Sequence, residues 1–264
     1  MHFSLKASHD TTLLLPAIGL GSHKLEKEAI KQALEIGYRH IDTATGYGNH
    51  LIIAEAIKES GIKREELFIT TKINENDLQS EQVDKLIDKI CCELNTKSID
   101  LLLIHGPRVA IVETIQKMQQ HPSVCAIGVS NFTIKHLEIV KKAGLKIAVN
   151  QIEVHPYLQQ EELFAYCRNE GIHIMAYRPL CKGKVFEDER LIKIGQSHGK
   201  NSGQIALKWA LQRGFSVIPR SSVLERQKSY LELFDFELSQ DEMASINALN
   251  CSLRTCQGSW SDFL

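Results

Sequence analysis

Polar and apolar positions recur along the chain in a fixed order: a short apolar run, a turn, then a stretch with apolar residues three or four apart. That alternation predicts parallel strands joined by crossover helices. Eight runs read as strands: Ile18–Gly21, Tyr38–Asp42, Leu67–Lys72, Ile99–His105, Val124–Ser130, Ile147–Gln151, Ile172–Tyr177 and Phe215–Pro219. Several, such as Leu101-Leu102-Leu103-Ile104, are apolar without interruption, as strands covered on both faces are. Between them, Ser80–Leu94 aligns Val83, Leu86, Ile87, Ile90, Cys91 and Leu94 on one stripe, the spacing of a helix with one buried face. Gln204–Gln212 groups Ile205, Ala206, Trp209 and Ala210 in the same way, and Thr133 opens a helix with Ile134, Leu137 and Val140. No linker and no literal repeat divides the chain, so residues 1–264 read as one domain. Eight unbroken βα units either close into a barrel or spread into an open doubly wound sheet, and the pattern alone permits both.

Composition narrows the function classes. With 264 residues, 43% apolar and 24% charged, the chain can bury a large core as a soluble globular protein. The formal net charge is -1 with no block of like charges, which argues against nucleic-acid and membrane-surface partners. The opening MHFSLKASHD lacks a basic segment followed by an apolar one, so no signal peptide is expected, and no apolar stretch is long enough for a membrane span. The seven cysteines are odd in number and form no C-x-x-C pair, which points to a reducing cytosol. Most are expected to be small core residues, with Cys91-Cys92 a feature of a helix face.

Chemically capable side chains gather where the strand runs end. Asp42 ends the second, Lys72 the third and His105 the fourth; Ser130 and Asn131 follow the fifth, Gln151 ends the sixth and Tyr177 the seventh. In a barrel these ends converge on one face. Tyr47 lies five residues past Asp42, in DTATGYGN. A free phenol titrates near ~10, and a neighbouring ammonium favours phenolate. Lys72 supplies such a charge, Asp42 can hold Lys72, and His105 can orient a substrate oxygen, so the group suits protonation of a carbonyl oxygen as hydride reaches its carbon. Any one of these residues alone reads as structural, as His40, His155 and His173 do. No H-E-x-x-H spacing occurs, and no metal is expected. The G-x-G of GLGSHK lacks a third glycine and its acidic partner, so it is not a Rossmann fingerprint.

The stretches LPAIGLGS, GYRHIDTATGYGN, LFITTKI, DLLLIHGP, IGVSNFT, NQIEVHPYLQ and SVIPRSS resemble the aldo-keto reductases, in that family's order and over nearly the whole chain. The short length, the compact loop after His105 and GIHIMAY resemble most the bacterial 2,5-diketogluconate and methylglyoxal reductases. The resemblance implies a single-domain (β/α)₈ TIM barrel and NADPH-dependent reduction of small aldehydes, α-ketoaldehydes or keto sugars, by a cytoplasmic monomer. The other reading is a nicotinamide-binding redox sensor with little turnover, since sensors can keep the same tetrad. By resemblance Tyr47 is the general acid, Lys72 and Asp42 tune it, and His105 orients the carbonyl. Ser130, Asn131 and Gln151 are expected to hold the carboxamide and Tyr177 to stack on the nicotinamide. Gly21, Ser22, Arg178, Pro179 and Leu180 are placed along the cofactor, and Arg220, Ser221 and Arg226 at the 2′-phosphate, since guanidinium forks suit phosphate oxygens. His23, Gly106 and Arg108 are assigned to the substrate pocket.

The chain departs from the family pattern at several positions. Gly106 stands where Trp usually follows the catalytic His, which removes a wall of the expected pocket or lets Arg108 recruit an acidic substrate. His50 replaces Glu after YGN, and Arg178 replaces a Ser that contacts the pyrophosphate. Ser229 and Tyr230 stand where Glu-Asn usually meets the adenine. Trp260 lies in a tail that relatives fold over the substrate site.

Overall fold

The computed structural model describes residues 1–6, 12–74, 82–107 and 111–256. Two antiparallel strands, β1 (His2–Lys6) and β2 (Thr12–Pro16), come first. Eight parallel strands follow: β3 (Leu20–Gly21), β4 (His40–Asp42), β5 (Phe68–Ile73), β6 (Ile99–Ile104), β7 (Val124–Ser130), β8 (Val149–Glu153), β9 (His173–Tyr177) and β10 (Ser216–Ile218). Each pairs with the next in chain order. The ring closes between its ends: Ile18 bridges Val217 in parallel, Gly19 N–H donates to Val217 O and Val217 N–H to Ala17 O, both at 2.9 Å. The choice between barrel and open sheet is thus settled for the barrel, with the expected strands recovered to within two residues at each end. Helices such as Lys27–Glu35, His50–Ser60 and Val83–Glu93 fill the crossovers.

Two apolar layers hold this shape. One lies between strands and helices and joins Ile41, Ile69, Leu102 and Val129 to Ile30, Ile87 and Ile115. The other fills the barrel with Phe68, Leu101, Leu103, Ala126, Val149, Met175 and Ile218. Leu5 and Leu15 of the β1–β2 hairpin belong to this inner cluster, so the hairpin plugs the amino-terminal end. The hairpin was not anticipated; its apolar residues are too few for a clear period-2 signal. The helix Ser202–Gln212 also differs from expectation, being buried all round from Ser202 to Leu211. The segment after residue 228 covers its outer face, where Lys208 pairs with Glu237 at 2.7 Å and Gln204 donates to Ser229 O.

The glycine of GLGSHK that pattern reading set aside has a packing reason. A Cβ on Gly19 would fall 2.4 Å from His40 Nδ1, so only hydrogen fits where the first strand passes the second. The cysteines depart from expectation: only Cys167 and Cys181 are buried, while Cys92 and Cys251 are exposed. No described helix is long and apolar enough to cross a membrane.

Candidate active site

The carboxyl ends of the barrel strands surround a cavity of about 330 Å³. Gly21, Ser22 and His23 enter it after β3, Asp42 and Tyr47 after β4, and His105 after β6. Ser130 and Asn131 come from β7, Gln151 from β8, Tyr177 and Arg178 from β9, and Ile218 and Arg220 from β10. A larger hollow, about 740 Å³, lies at the opposite end beside Ile127 and Ile147 and contains none of these residues. The chemically capable side chains therefore gather at the smaller cavity, at the face where active sites of parallel barrels form.

Its floor is a buried ion pair. Lys72 is 1% exposed and donates to Asp42 Oδ1 at 2.5 Å and to Thr43 O at 2.8 Å. The other carboxylate oxygen accepts from Gln151 Nε2 at 2.7 Å. The ammonium stands 5.3 Å from the centroid of the Tyr47 ring. Tyr47 is flanked by His23 and His105, with ring centroids at 4.7 and 5.8 Å. Asp42 thus fixes Lys72, Lys72 faces Tyr47, and two imidazoles border the phenol.

Burial pushes the Tyr47 phenol up; Lys72 pulls it down, but the net direction is upward. The lowering expected from Lys72 is therefore outweighed while the phenol is neutral, and Tyr47 keeps its proton at neutral pH. Lys72 itself is held above its ordinary range: burial opposes its charge, but Asp42 and Tyr47 favour it more. His105 is lowered to about 3 by burial, then by Lys72 and His23, so its imidazole is neutral. His23 is lowered too, by burial and by the cations Lys24, Arg220 and Arg178.

The residues expected to hold a cofactor divide into two groups. Ser130 donates to Gln151 O, Asn131 donates to His105 O, and Tyr177 donates through its hydroxyl to Asn131 Oδ1 at 2.8 Å. These belong to the cavity wall with Gly21 and Ser22, but the Gln151 amide is engaged by Asp42. Arg220 is exposed at the rim and donates to Lys24 O. Arg178 lines the cavity with φ +49°, its guanidinium bonded to Thr255. Pro179 and Leu180 are buried, Leu180 within the core. Ser221 is buried and its hydroxyl is tied to Val223, while Arg226 is exposed, 6.0 Å from the Phe186 ring. Gly106 is buried beside His105 but does not line the cavity. Arg108 and Trp260 lie outside the described residues. Of the departures, His50 turns to Glu93 and Thr71, and Tyr230 is buried in the core. His40, His155 and His173 are bonded to Thr70, Glu153 and Ser216, as structural histidines are. Among the described residues no group of His, Cys, Asp and Glu could hold a metal ion.

Two residues escaped sequence reading. Glu153, two positions after Gln151 on β8, is fully buried, and Cys256 lines the cavity. The first carried a signal, since a charged residue set between apolar neighbours, here Ile152 and Val154, is rarely buried unless paired. The second had none, because only the folded tail brings it there.

A profile described as the Aldo/keto reductase family matches residues 20–251. The chain is 41% identical to a glyoxal reductase of Bacillus subtilis (strain 168), over 89% of this chain and 89% of that one. It is 37% identical to methylglyoxal reductase DkgB of Escherichia coli O157:H7, over 92% and 96%. Among solved structures, MGS-M4, an aldo-keto reductase from a Medee basin deep-sea metagenome library, superposes with a TM-score of 0.89. That match has 35% identity and covers 97% of each chain.

Proposed function

This chain belongs to the aldo/keto reductase family, and from that premise we propose that it reduces small aldehydes, α-ketoaldehydes or keto sugars to alcohols with NADPH, Tyr47 giving the proton. It is an oxidoreductase acting on carbonyl groups. The observation that carries the finer reading is the chain of contacts Gln151–Asp42–Lys72–Tyr47 beneath a cavity flanked by His105.

The residues suit a nicotinamide dinucleotide. Asn131 and Tyr177 offer amide and ring to its head, and Arg220 and Lys24 give the rim a positive side. When bound, the nicotinamide supplies hydride to the carbonyl carbon. Tyr47 O–H and the neutral His105 imidazole bind the carbonyl oxygen and polarise it. Tyr47 then releases its proton to that oxygen, and Lys72, kept charged by Asp42, stabilises the phenolate left behind. Arg220 is the residue that favours NADPH over NADH, because a guanidinium suits the extra phosphate. A small substrate fits the cavity volume and matches the names of the glyoxal and methylglyoxal reductases. Seven free thiols support a reducing compartment, the cytosol, and the reading takes the chain as one domain acting as a monomer.

The test is NADPH oxidation with methylglyoxal, 2,5-diketogluconate and an aromatic aldehyde, with NADH in parallel, for the wild type and Tyr47→Phe. Turnover with NADPH, little with NADH, and near-complete loss in the variant with NADPH affinity kept is the expected result. Tight NADPH binding without turnover of any carbonyl overturns the reading, and an active Tyr47→Phe removes Tyr47 as the acid.

A further inference from the structure

Strand β8 ends in a carboxylate that the proton transfer does not use. Glu153 is fully buried, and a buried carboxylate is costly unless its oxygens are bonded. Three donors on the carboxy-terminal segment meet this need. The Thr255 N–H reaches Oε1 at 2.9 Å, the Thr255 hydroxyl reaches the same oxygen, and the Cys256 N–H reaches Oε2 at 2.9 Å. Burial pushes the carboxyl up, but the bonds from His155, Thr255 and the two amides hold it down, to about 2. On the other side Arg178 donates to the carbonyl and hydroxyl of Thr255. Farther back, the amides of Cys251 and Leu253 donate to Tyr157 O at 3.2 and 3.0 Å. The segment therefore crosses the barrel mouth as a fastened strap. Within it Cys256 lines the cavity beside Tyr47 and Tyr177, which line it too.

We infer that Glu153 is a positioning residue for carbonyl reduction: its carboxylate fixes Thr255 and Cys256 as one wall of the cavity. Two oxygens of one carboxylate receive the amides of two successive residues, which sets both the height and the register of the strap. Neither close relative of the side chain reproduces this fork. A glutamine presents an NH₂ group to an amide that also donates, and an aspartate is one methylene too short. Because Arg178 holds the same residue from the other side, Thr255 is clamped between opposite charges, and the wall stays in place without a substrate to lean on. Glu153 thus governs how closely a small carbonyl compound is enclosed without touching it. The kinetic consequence rests on the reductase reading; the placement of the strap does not.

The experiment follows both in the full chain. Wild type, Glu153→Gln, Thr255→Val and Thr255→Ser are treated with iodoacetamide, digested, and the alkylation rates of Cys256 and the buried Cys167 are read by mass spectrometry. Cys256 is expected to react at least about tenfold faster in Glu153→Gln and several-fold faster in Thr255→Val. Cys167 should stay protected, and Thr255→Ser should match the wild type. In the same proteins KM for the best carbonyl is expected to rise about fivefold or more in Glu153→Gln, with kcat within about twofold. Unchanged Cys256 reactivity in both Glu153→Gln and Thr255→Val overturns the proposal. If Cys167 also becomes reactive in Glu153→Gln, that variant has loosened as a whole. Thr255→Val, which removes no charge, then decides on the same criterion. If Cys256 is released as expected but the wild type reduces no carbonyl, the reductase reading fails and the strap anchor stands.

Discussion

Replacing Lys72 by Met removes one charge from the deepest part of the site and keeps most of the side-chain volume. The ammonium lies 5.3 Å from the Tyr47 ring centroid. A full negative charge on that ring would gain about 3 kcal/mol from it at an effective dielectric of about 20. That corresponds to roughly two powers of ten in rate, and half a charge to about one. The expected fall in kcat/KM is therefore roughly ten- to two-hundredfold. The same substitution strands the Asp42 carboxylate, which is 2% exposed and keeps Gln151 as its side-chain donor. Breaking a buried pair costs about 3–5 kcal/mol, a drop in Tm of roughly 6–20 °C for a domain of this size. The double variant Asp42→Asn, Lys72→Met removes the stranded charge as well. Its Tm should return most of the way while kcat/KM stays low. Steady-state kinetics and thermal scans of the wild type, both single variants and the double variant separate the two effects. Lys72→Met with kcat/KM within about threefold of the wild type, or a double variant that regains activity along with Tm, would refute the electrostatic account of Tyr47.

Other outcomes test the rest of the site. Arg220→Ala should raise the Kd for NADPH by about ten- to a hundredfold, the value of a charge-assisted hydrogen bond, and leave that for NADH nearly unchanged; fluorescence titration with both nucleotides measures it. Gly106→Trp should narrow the range of carbonyls reduced in a substrate panel, and an unchanged profile removes Gly106 from pocket shaping. Burial, joined by Lys72 for the first two, lowers His40 and His105 to about 3, and burial lowers His173 to about 4. An unfolded histidine binds its proton near 6.5, so below that pH the unfolded state takes up more protons, and stability falls as the pH drops toward 3–4. At pH 5 the three together cost about 6 kcal/mol relative to pH 8, which urea midpoints at the two pH values will read; equal midpoints would mean that these imidazoles are not buried neutral.

The eight strand–helix units were legible because the strands are apolar on both faces and the crossover helices on one, two periods that survive in a single chain; their closure was not, because it rests on the join of Ile18 to Val217. Asp42, Lys72 and His105 stood out for a different reason: a polar side chain at the end of an apolar run has no packing excuse; Tyr47, five residues past Asp42, stood out only as a phenol that Lys72 could serve. Burial and long-range contacts were not legible. Pro179 and Leu180 follow Tyr177 directly and are buried just past Arg178, whose φ is +49°. Arg178 faces the tail because Thr255 is brought to it across a gap of 77 residues, a contact no local pattern announces. The lowering expected for Tyr47 counted a neighbouring charge and left out burial, which a sequence does not display.

The seam of the barrel has a consequence for how the protein comes into being. Residues near the start of the chain, Ala17–Gly21, pair with Ser216–Ile218 near its end, and the cavity straddles that join, with Ser22 on one lip and Arg220 on the other. A nascent chain that has not yet reached residue 216 has one wall missing and two sheet edges open to any passing strand. Its ability to bind a ligand therefore arrives at the same moment as its protection from aggregation. Any molecule that spans the two lips acts as a clasp, drawing together the first and last strands of the barrel to be made.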